Sequence, residues 1–455
     1  MKNFSVASKV FFFVIGTLLI SCQSDDSPVS YEKGSNQYTN MWINEQMRKY
    51  YYWNQDLPVF TNLSINPKEY FTKLLNKDDR FSYAINPANP ETLPKSIRNT
   101  YGFDISFVEY EGKAFGVILF VLTDSPAERT GLKRGQFIKS INGTLVNHQN
   151  FENLYNDLAF SAKAQLEVFE YSSEKGFSAI KNVEIIKGFT FLQPIKYHII
   201  LSGNQRVGYI EIPHFDIGLA ATFLRIFKEF QDQSVSKVIV DLRYNGGGDV
   251  SSATALSTIL APNIKSDDFF IRFKGNKNGG VVNQTFKEAL EMNESKVSFE
   301  SLRSVHPSIQ ELYVLCGNHT ASASELILNN LKPFLRIISI GEKTLGKDTG
   351  GFAIEDNRMS DKKGWVLYPV IYKLFNANNQ GNYAEGISPS IELSELQNPE
   401  IFSLGDSREV LLTKALNGTM SDKQLSVPSV NSLKLKEPCV KDADLLVKFI
   451  LNKHR

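Results

Sequence analysis

The first strongly apolar run covers residues 10–20, directly behind Lys2 and Lys9, and ends at Ser21 and Cys22. It is too short to cross a bilayer as a helix, which takes about 20 residues. Its order of basic, apolar and small residues is that of a secretory signal. A polar stretch, 23–30, separates it from the next patterned region. Over 38–53, Ile43, Met47, Tyr50 and Tyr51 recur at helical spacing. Asn66 as N-cap and Pro67 at the first helical position predict a second helix through Tyr70, Phe71, Leu74 and Leu75. The run Tyr50-Tyr51-Tyr52-Trp53 reads as packing for this small helical region rather than as a binding surface.

From about residue 100 the period changes to that of short strands. Residues 101–107 alternate, 115–122 are β-branched and aromatic, and Asn142-Gly143 is a strong hairpin signal. A short helix is predicted at 125–129 and a longer one at 151–158. The order Ser125-Pro126-Ala127, Gly131-Leu132, Gly135, Ile138, Ile141-Asn142-Gly143 resembles a PDZ domain of the circularly permuted kind found in bacterial proteases, over roughly 95–187. Such domains take an extended peptide onto a sheet edge, with its terminal carboxylate on backbone N–H groups. The resemblance places that loop at Tyr101, Gly102, Phe103 and Asp104, where Gly102 lets the backbone turn inward.

Beyond residue 206, strands and helices alternate, which implies an α/β core. Strands are predicted at 207–212, 238–242, 312–316 and 337–340, and further on at 365–374 and 387–393. Phe223, Ile226, Phe227 and Phe230 share one helical face, another helix spans 322–331, and a closing helix spans 408–416. The strand 238–242, Val238-Ile239-Val240-Asp241-Leu242, is short and mainly apolar, of the sort buried on both faces. Little pattern follows, apart from an amphipathic 443–450.

Composition removes several alternatives. With 50 basic and 49 acidic residues there is no basic excess to suggest a nucleic-acid partner. Three cysteines in 455 residues exclude a disulfide scaffold or a multi-cysteine zinc site, and the six histidines show no ligand spacing. Of the cysteines, Cys22 stands apart. Leu19-Ile20-Ser21-Cys22 resembles the bacterial lipobox, in which cleavage leaves the cysteine as a lipidated N-terminus; an ordinary signal peptide with an incidental cysteine is the alternative. Ser24-Asp25-Asp26 resembles the acidic tag of surface-directed lipoproteins. The location implied is the cell envelope, on the outer membrane and surface-exposed if the tag is read.

Nucleophilic catalysis is the chemistry left. Ser322 and Ser324 lie between an apolar strand and an apolar-periodic helix, where a serine hydroxyl meets free helix N–H groups. The same Ser322-Ala323-Ser324-Glu325 also reads as a plain capping box that needs no chemistry. One strand later, Lys347 follows a glycine at a turn, where an apolar pocket would favour a neutral amine able to act as base; Lys343 competes but looks solvent-facing. The Gly246-Gly247-Gly248 run is neither a Walker loop nor a dinucleotide motif.

Three segments together, Asp241-Leu242-Arg243-Tyr244-Asn245-Gly246-Gly247-Gly248, Thr320-Ala321-Ser322-Ala323-Ser324-Glu325 and Gly341-Glu342-Lys343-Thr344-Leu345-Gly346-Lys347, resemble the signature motifs of the C-terminal processing peptidases, or tail-specific proteases. With Gly386-Ile387-Ser388-Pro389 and the PDZ region, the resemblance spans about 42–416. It implies a crotonase-like α/β spiral core, Ser322 as nucleophile, Lys347 as base, and oxyanion N–H groups from Gly247 or Gly248 and from Ala323. Asp241 and Arg243 would order the glycine loop. Many members carry a glutamine four residues after the base; here that position is Gly351, with Asp348 and Thr349 as candidates to replace it. His319 is taken as incidental. No metal or organic cofactor is implied, and the partners are protein or peptide substrates with exposed C-termini and a membrane reached through the lipid anchor.

The resulting organisation is a signal peptide over 1–22, a tether over 23–38, a helical region over 39–94, a PDZ domain over 95–187, a peptidase core over 188–418 and an extension over 419–455. The expected function is a serine endopeptidase acting on exported proteins. The alternative is a non-catalytic, PDZ-containing peptide-binding lipoprotein, and an esterase or cell-wall peptidase would share the dyad with another substrate.

Overall fold

The computed structural model describes residues 30–59, 62–294, 296–359 and 364–418 and, as backbone alone, 434–436. Cys22 with its apolar run, Cys439 and the amphipathic 443–450 lie outside the described residues. Ser35 caps α1 (Asn36–Tyr50) by accepting the Tyr38 N–H, and the helix buries Trp42, Ile43 and Met47. Tyr51 leaves the helix and sinks its ring, its hydroxyl donating to Asp79 at 2.7 Å. Asn66 and Pro67 start α2 (Pro67–Leu74), with the Asn66 side chain accepting from the Lys68 N–H. The inner faces of both helices pack on Leu367 and Val370, contributed from far along the chain.

A second core gathers residues 97–185. There α3 (Ile97–Tyr101) leads into the antiparallel strands β1 (Phe103–Tyr110), β2 (Lys113–Val121) and β3 (Phe137–Ile141). After α4 (Phe151–Phe160) come β4 (Lys163–Phe169) and β5 (Lys181–Ile186), giving the order β1-β2-β3-β4-β5. Asn142 and Gly143 take φ of 51° and 78°, the left-handed pair that a two-residue hairpin turn demands.

The third region is a six-stranded sheet. An antiparallel pair, β6 (Lys196–Ser202) and β7 (Gln205–Glu211), opens it. After α5 (Ala220–Asp232) comes β8 (Lys237–Asp241), then α6 (Val250–Leu260), β9 (Glu311–Cys316), α7 (Ala323–Asn330), β10 (Arg336–Gly341) and β11 (Ile391–Glu392). From β7 to β11 every pairing is parallel and follows chain order. Helices α5, α6 and α7 cover one face, with Phe223, Phe227, Leu256 and Leu326 in the core. α8 (Val410–Asn417) covers the other face with Leu411, Leu412 and Ala415. β8 is buried along its length, its Val238-Ile239-Val240 centre matching the expected two-sided burial.

The run 365–374 does not form one strand. Val366–Tyr368 pairs with Tyr83–Ile85, whereas Tyr372–Asn376 pairs with Phe269–Gly275 in another sheet. Between them Pro369 has no N–H to continue a ladder. The fold is α/β with mixed sheets. Its carboxyl edge brings the ends of β8, β9 and β10 side by side, and each of the three chemically suggestive turns follows one of them. In parallel sheets that edge is where functional loops collect.

Candidate active site

Ser322 is the residue between β9 and α7, and its backbone is strained: φ is 55° and ψ −116°. A side-chain-bearing residue stays in such a conformation only when its surroundings hold it there. Two features do so. The Ser322 N–H donates to Glu325 Oε2 at 2.9 Å, and the Leu326 N–H donates to the Ser322 carbonyl at 2.9 Å. Ser322 is half-buried while Ser324 is fully buried, so only the first of the two serines is accessible.

The glycine loop closes on this turn. A Cβ at Gly247 would lie 2.7 Å from the Ser322 Cβ and 3.0 Å from the Ala323 nitrogen. A Cβ at Gly248 would lie 2.1 Å from the Phe215 carbonyl oxygen. Both glycines have positive φ, 106° and 134°, so both close approach and conformation exclude a side chain. The Gly247 N–H is engaged, donating to the Asn245 Oδ1 at 2.8 Å. Among the described residues, neither the Gly248 nor the Ala323 N–H has a protein acceptor. Of the two loop glycines, Gly248 therefore has the N–H available to a ligand, and Gly247 supplies room.

Glu325 was legible only as half of a capping box, but it does more. Its buried carboxylate accepts the Ser322 and Lys347 N–H groups on Oε2, at 2.9 and 2.8 Å. On Oε1 it accepts the Thr344 hydroxyl at 2.6 Å and the Gly346 N–H at 2.8 Å. One oxygen thus holds the backbones of the candidate nucleophile and base together. Burial pushes its pKa up to about 7, and the four donors limit the rise. Leu345 adds a further tie, its N–H donating to the Thr320 carbonyl at 3.0 Å.

Lys347 is half-buried with its Nζ 5.4 Å from the Phe81 ring centroid, whereas Lys343 is exposed. The turn is closed by Gly386-Ile387, whose Ile387 N–H reaches the Thr344 hydroxyl at 2.7 Å. Gly351 is exposed, and a Cβ there would meet the Pro369 carbonyl oxygen at 2.2 Å, so a glutamine needs a different backbone. Asp348 is paired with Lys373 at 3.3 Å, and the buried Thr349 hydroxyl has no hydrogen-bond partner among the described residues.

Behind the loop, Arg243 is clamped on Asp241 at 3.0 and 2.9 Å and on Glu409 at 2.8 and 3.0 Å. Arg134 of the second region joins the same cluster through Glu395 at 2.6 Å and the Tyr244 hydroxyl at 2.8 Å. His319, three residues before Ser322, is buried with its Nε2 3.5 Å from Asp104 Oδ2. It is a link to β1 rather than an idle loop residue.

The run expected as the carboxylate loop is a turn from helix to strand. Tyr101 ends α3 and Gly102 is its left-handed C-cap, with φ 84° and its N–H on the Arg98 carbonyl. The side chains of Tyr101, Phe103 and Asp104 are all buried, because 101 and 103 belong to the core beneath the sheet and Asp104 faces Tyr155 and His319. A peptide at this edge can meet backbone here, not these side chains. Among the described residues no three His, Cys, Asp or Glu side chains cluster as metal ligands would, and no helix is long and apolar enough to cross a membrane.

A serine at a strained strand-to-helix turn beside a glycine loop is the arrangement that serine hydrolases use. The chain belongs to peptidase family S41. Residues 206–393 match the Peptidase family S41 model, and residues 38–83 match the Peptidase S41 N-terminal domain. It is 23% identical to the chloroplastic C-terminal processing peptidase of Tetradesmus obliquus, over 70% of this chain and 65% of that one. It is 25% identical to the carboxy-terminal processing protease CtpB of Bacillus subtilis, over 64% and 54%. The chain thus spans less than two thirds of these relatives' lengths. A crystal structure from Bacteroides fragilis, described as an S41 protease, superposes with a TM-score of 0.67 at 25% identity, covering 86% of this chain and 98% of that one.

Proposed function

We propose that the protein is a serine endopeptidase of the C-terminal processing type, hydrolysing peptide bonds of exported proteins. Ser322 attacks the scissile carbonyl as a neutral Lys347 takes its proton. The tetrahedral oxyanion accepts the Gly248 and Ala323 N–H groups, each such donor being worth roughly 3–4 kcal/mol in the transition state. Lys347 then returns the proton to the leaving amine, and water releases the acyl group from Ser322. The observation that carries this reading is the single Glu325 oxygen bonded to the N–H groups of both Ser322 and Lys347. A capping box by itself has no use for the second bond.

The same reading makes the sheet of β1 to β5 a PDZ-type recognition element for exposed C-termini and the core a crotonase-like spiral. It also places the boundaries of the helical, PDZ and peptidase regions near 39–94, 95–187 and 188–418. Lipidation at Cys22 and an outer-membrane, surface-exposed location complete the proposal.

The test uses the purified chain beside its Ser322→Ala and Lys347→Ala variants, each incubated with an unstructured protein ending in an apolar tail. Mass spectrometry should find fragments with the parent alone. Fragments from all three would remove the dyad. Tail binding without cleavage by the parent would make the protein a peptide receptor.

A further inference from the structure

The sheet that begins at β1 does not end there. On its outer side β1 pairs with β12 (Lys434–Lys436), a strand from beyond the last helix of the core. The pairing is antiparallel, with Glu109 opposite Lys434, Val108 opposite Leu435 and Phe107 opposite Lys436. Fifteen residues of sequence join Gly418 to Lys434.

Three observations make this more than an extra strand. The edge is the one that β2 leaves open, so it is the only side on which β1 can receive a peptide. The direction matches, because from Lys434 to Lys436 the strand runs along β1 toward the Gly102 turn, as a peptide with its carboxyl end at that turn would run. The wall is present too. α4 lies along β1, with the Phe151 ring 5.3 Å from that of Phe107 and the Tyr155 hydroxyl 3.3 Å from Asp104 Oδ1.

We propose that the chain's own segment 434–436 is a ligand of the β1 edge in cis, a built-in competitor that a substrate tail must displace before it can pair there. This rests on the reading of the sheet as the tail-recognition element. A short tether gives an effective concentration on the order of 1 mM. A strand that would bind with a dissociation constant of about 100 μM when free is then bound about ten times out of eleven. Substrate tails meet an edge whose apparent affinity is lowered about tenfold.

The experiment compares the full Ser322→Ala chain with the same chain carrying Leu435→Pro, since proline removes a strand N–H. The probe is a fluorescein-labelled decapeptide ending in three apolar residues, and its dissociation constant is read by anisotropy. Leu435→Pro should tighten binding about tenfold, and an unlabelled peptide with the sequence of residues 431–437 should reverse the gain. Hydrogen exchange should show protection lost in 103–110 and kept in 113–121. Equal dissociation constants, a gain that the 431–437 peptide does not reverse, or no probe binding to either chain would each overturn the proposal. In the chain that retains Ser322, Leu435→Pro should lower KM about tenfold at unchanged kcat. If the proteolytic reading is wrong, that second assay is silent in both chains and the anisotropy result still stands.

Discussion

Glu325 is a fully buried carboxylate with four donors and no cation among them. Burial raises its pKa from 4.5 to about 7, so the folded protein holds this proton more tightly than the unfolded chain does. The resulting stabilisation is full below pH 4.5 and is lost as the pH rises through 7. Glu325→Gln cannot ionise and lacks that dependence. Between those limits the stability of the parent, measured by urea melts, should fall relative to the variant by about 3 kcal/mol. The variant should also cleave more slowly at every pH, because an amide NH₂ cannot accept the N–H groups that the second oxygen holds.

The glycine loop and the start of α7 work as a pair of elements, brought to van der Waals distance at the ends of two parallel strands. Gly247→Ala puts a Cβ 2.7 Å from the Ser322 Cβ, so the serine or the loop must shift. A shift near 1 Å costs roughly 100-fold in rate, and the positive φ adds about 1–3 kcal/mol of destabilisation. Cleavage rates and thermal melts on the one variant check both figures. This part of the site was readable in advance because glycine repeats, a serine before an apolar helix and a lysine after a glycine are local signals. What was not readable depended on distant partners. Nothing near Glu325 shows that residues 344, 346 and 347 come to it. Residues 101–107 alternate as a strand does, yet Tyr101 still belongs to α3, since alternation cannot tell the first residues of a strand from the last of a short helix. The strands Phe269–Gly275 and Val281–Thr285 were missed, and Pro369 divided a run that periodicity alone joined.

Across the whole molecule, the sheet of β1 to β5 and the core of β6 to β11 meet through buried polar and charged groups. Arg98 donates to the Tyr244 carbonyl at 3.1 Å, Arg134 pairs with Glu395, and Asp104 faces His319. Burial alone would raise the Glu395 pKa, but Arg134, Arg243 and the Tyr244 hydroxyl outweigh it and hold the carboxyl at about 2. The sign is opposite to that of Glu325. The stabilisation is present above the ordinary value of 4.5 and is lost as the pH falls from there to 2. Arg134→Met leaves Glu395 with less positive charge and should cost about 3–5 kcal/mol near neutral pH. Its acid unfolding curve should start at a higher pH than that of the parent. A coincident loss of tail binding and cleavage would show that both regions depend on this joint.

Helices α1 and α2 complete their core against Leu367 and Val370. A chain that emerges with its amino end leading, from a ribosome or across a membrane, therefore exposes Trp42, Ile43, Phe71 and Leu74 until some 300 further residues have followed. Contacts so far apart in sequence close late, because the long loop between them must be ordered first. The beginning of this protein is among the last parts to be finished, and residues 36–74 on their own should remain unfolded.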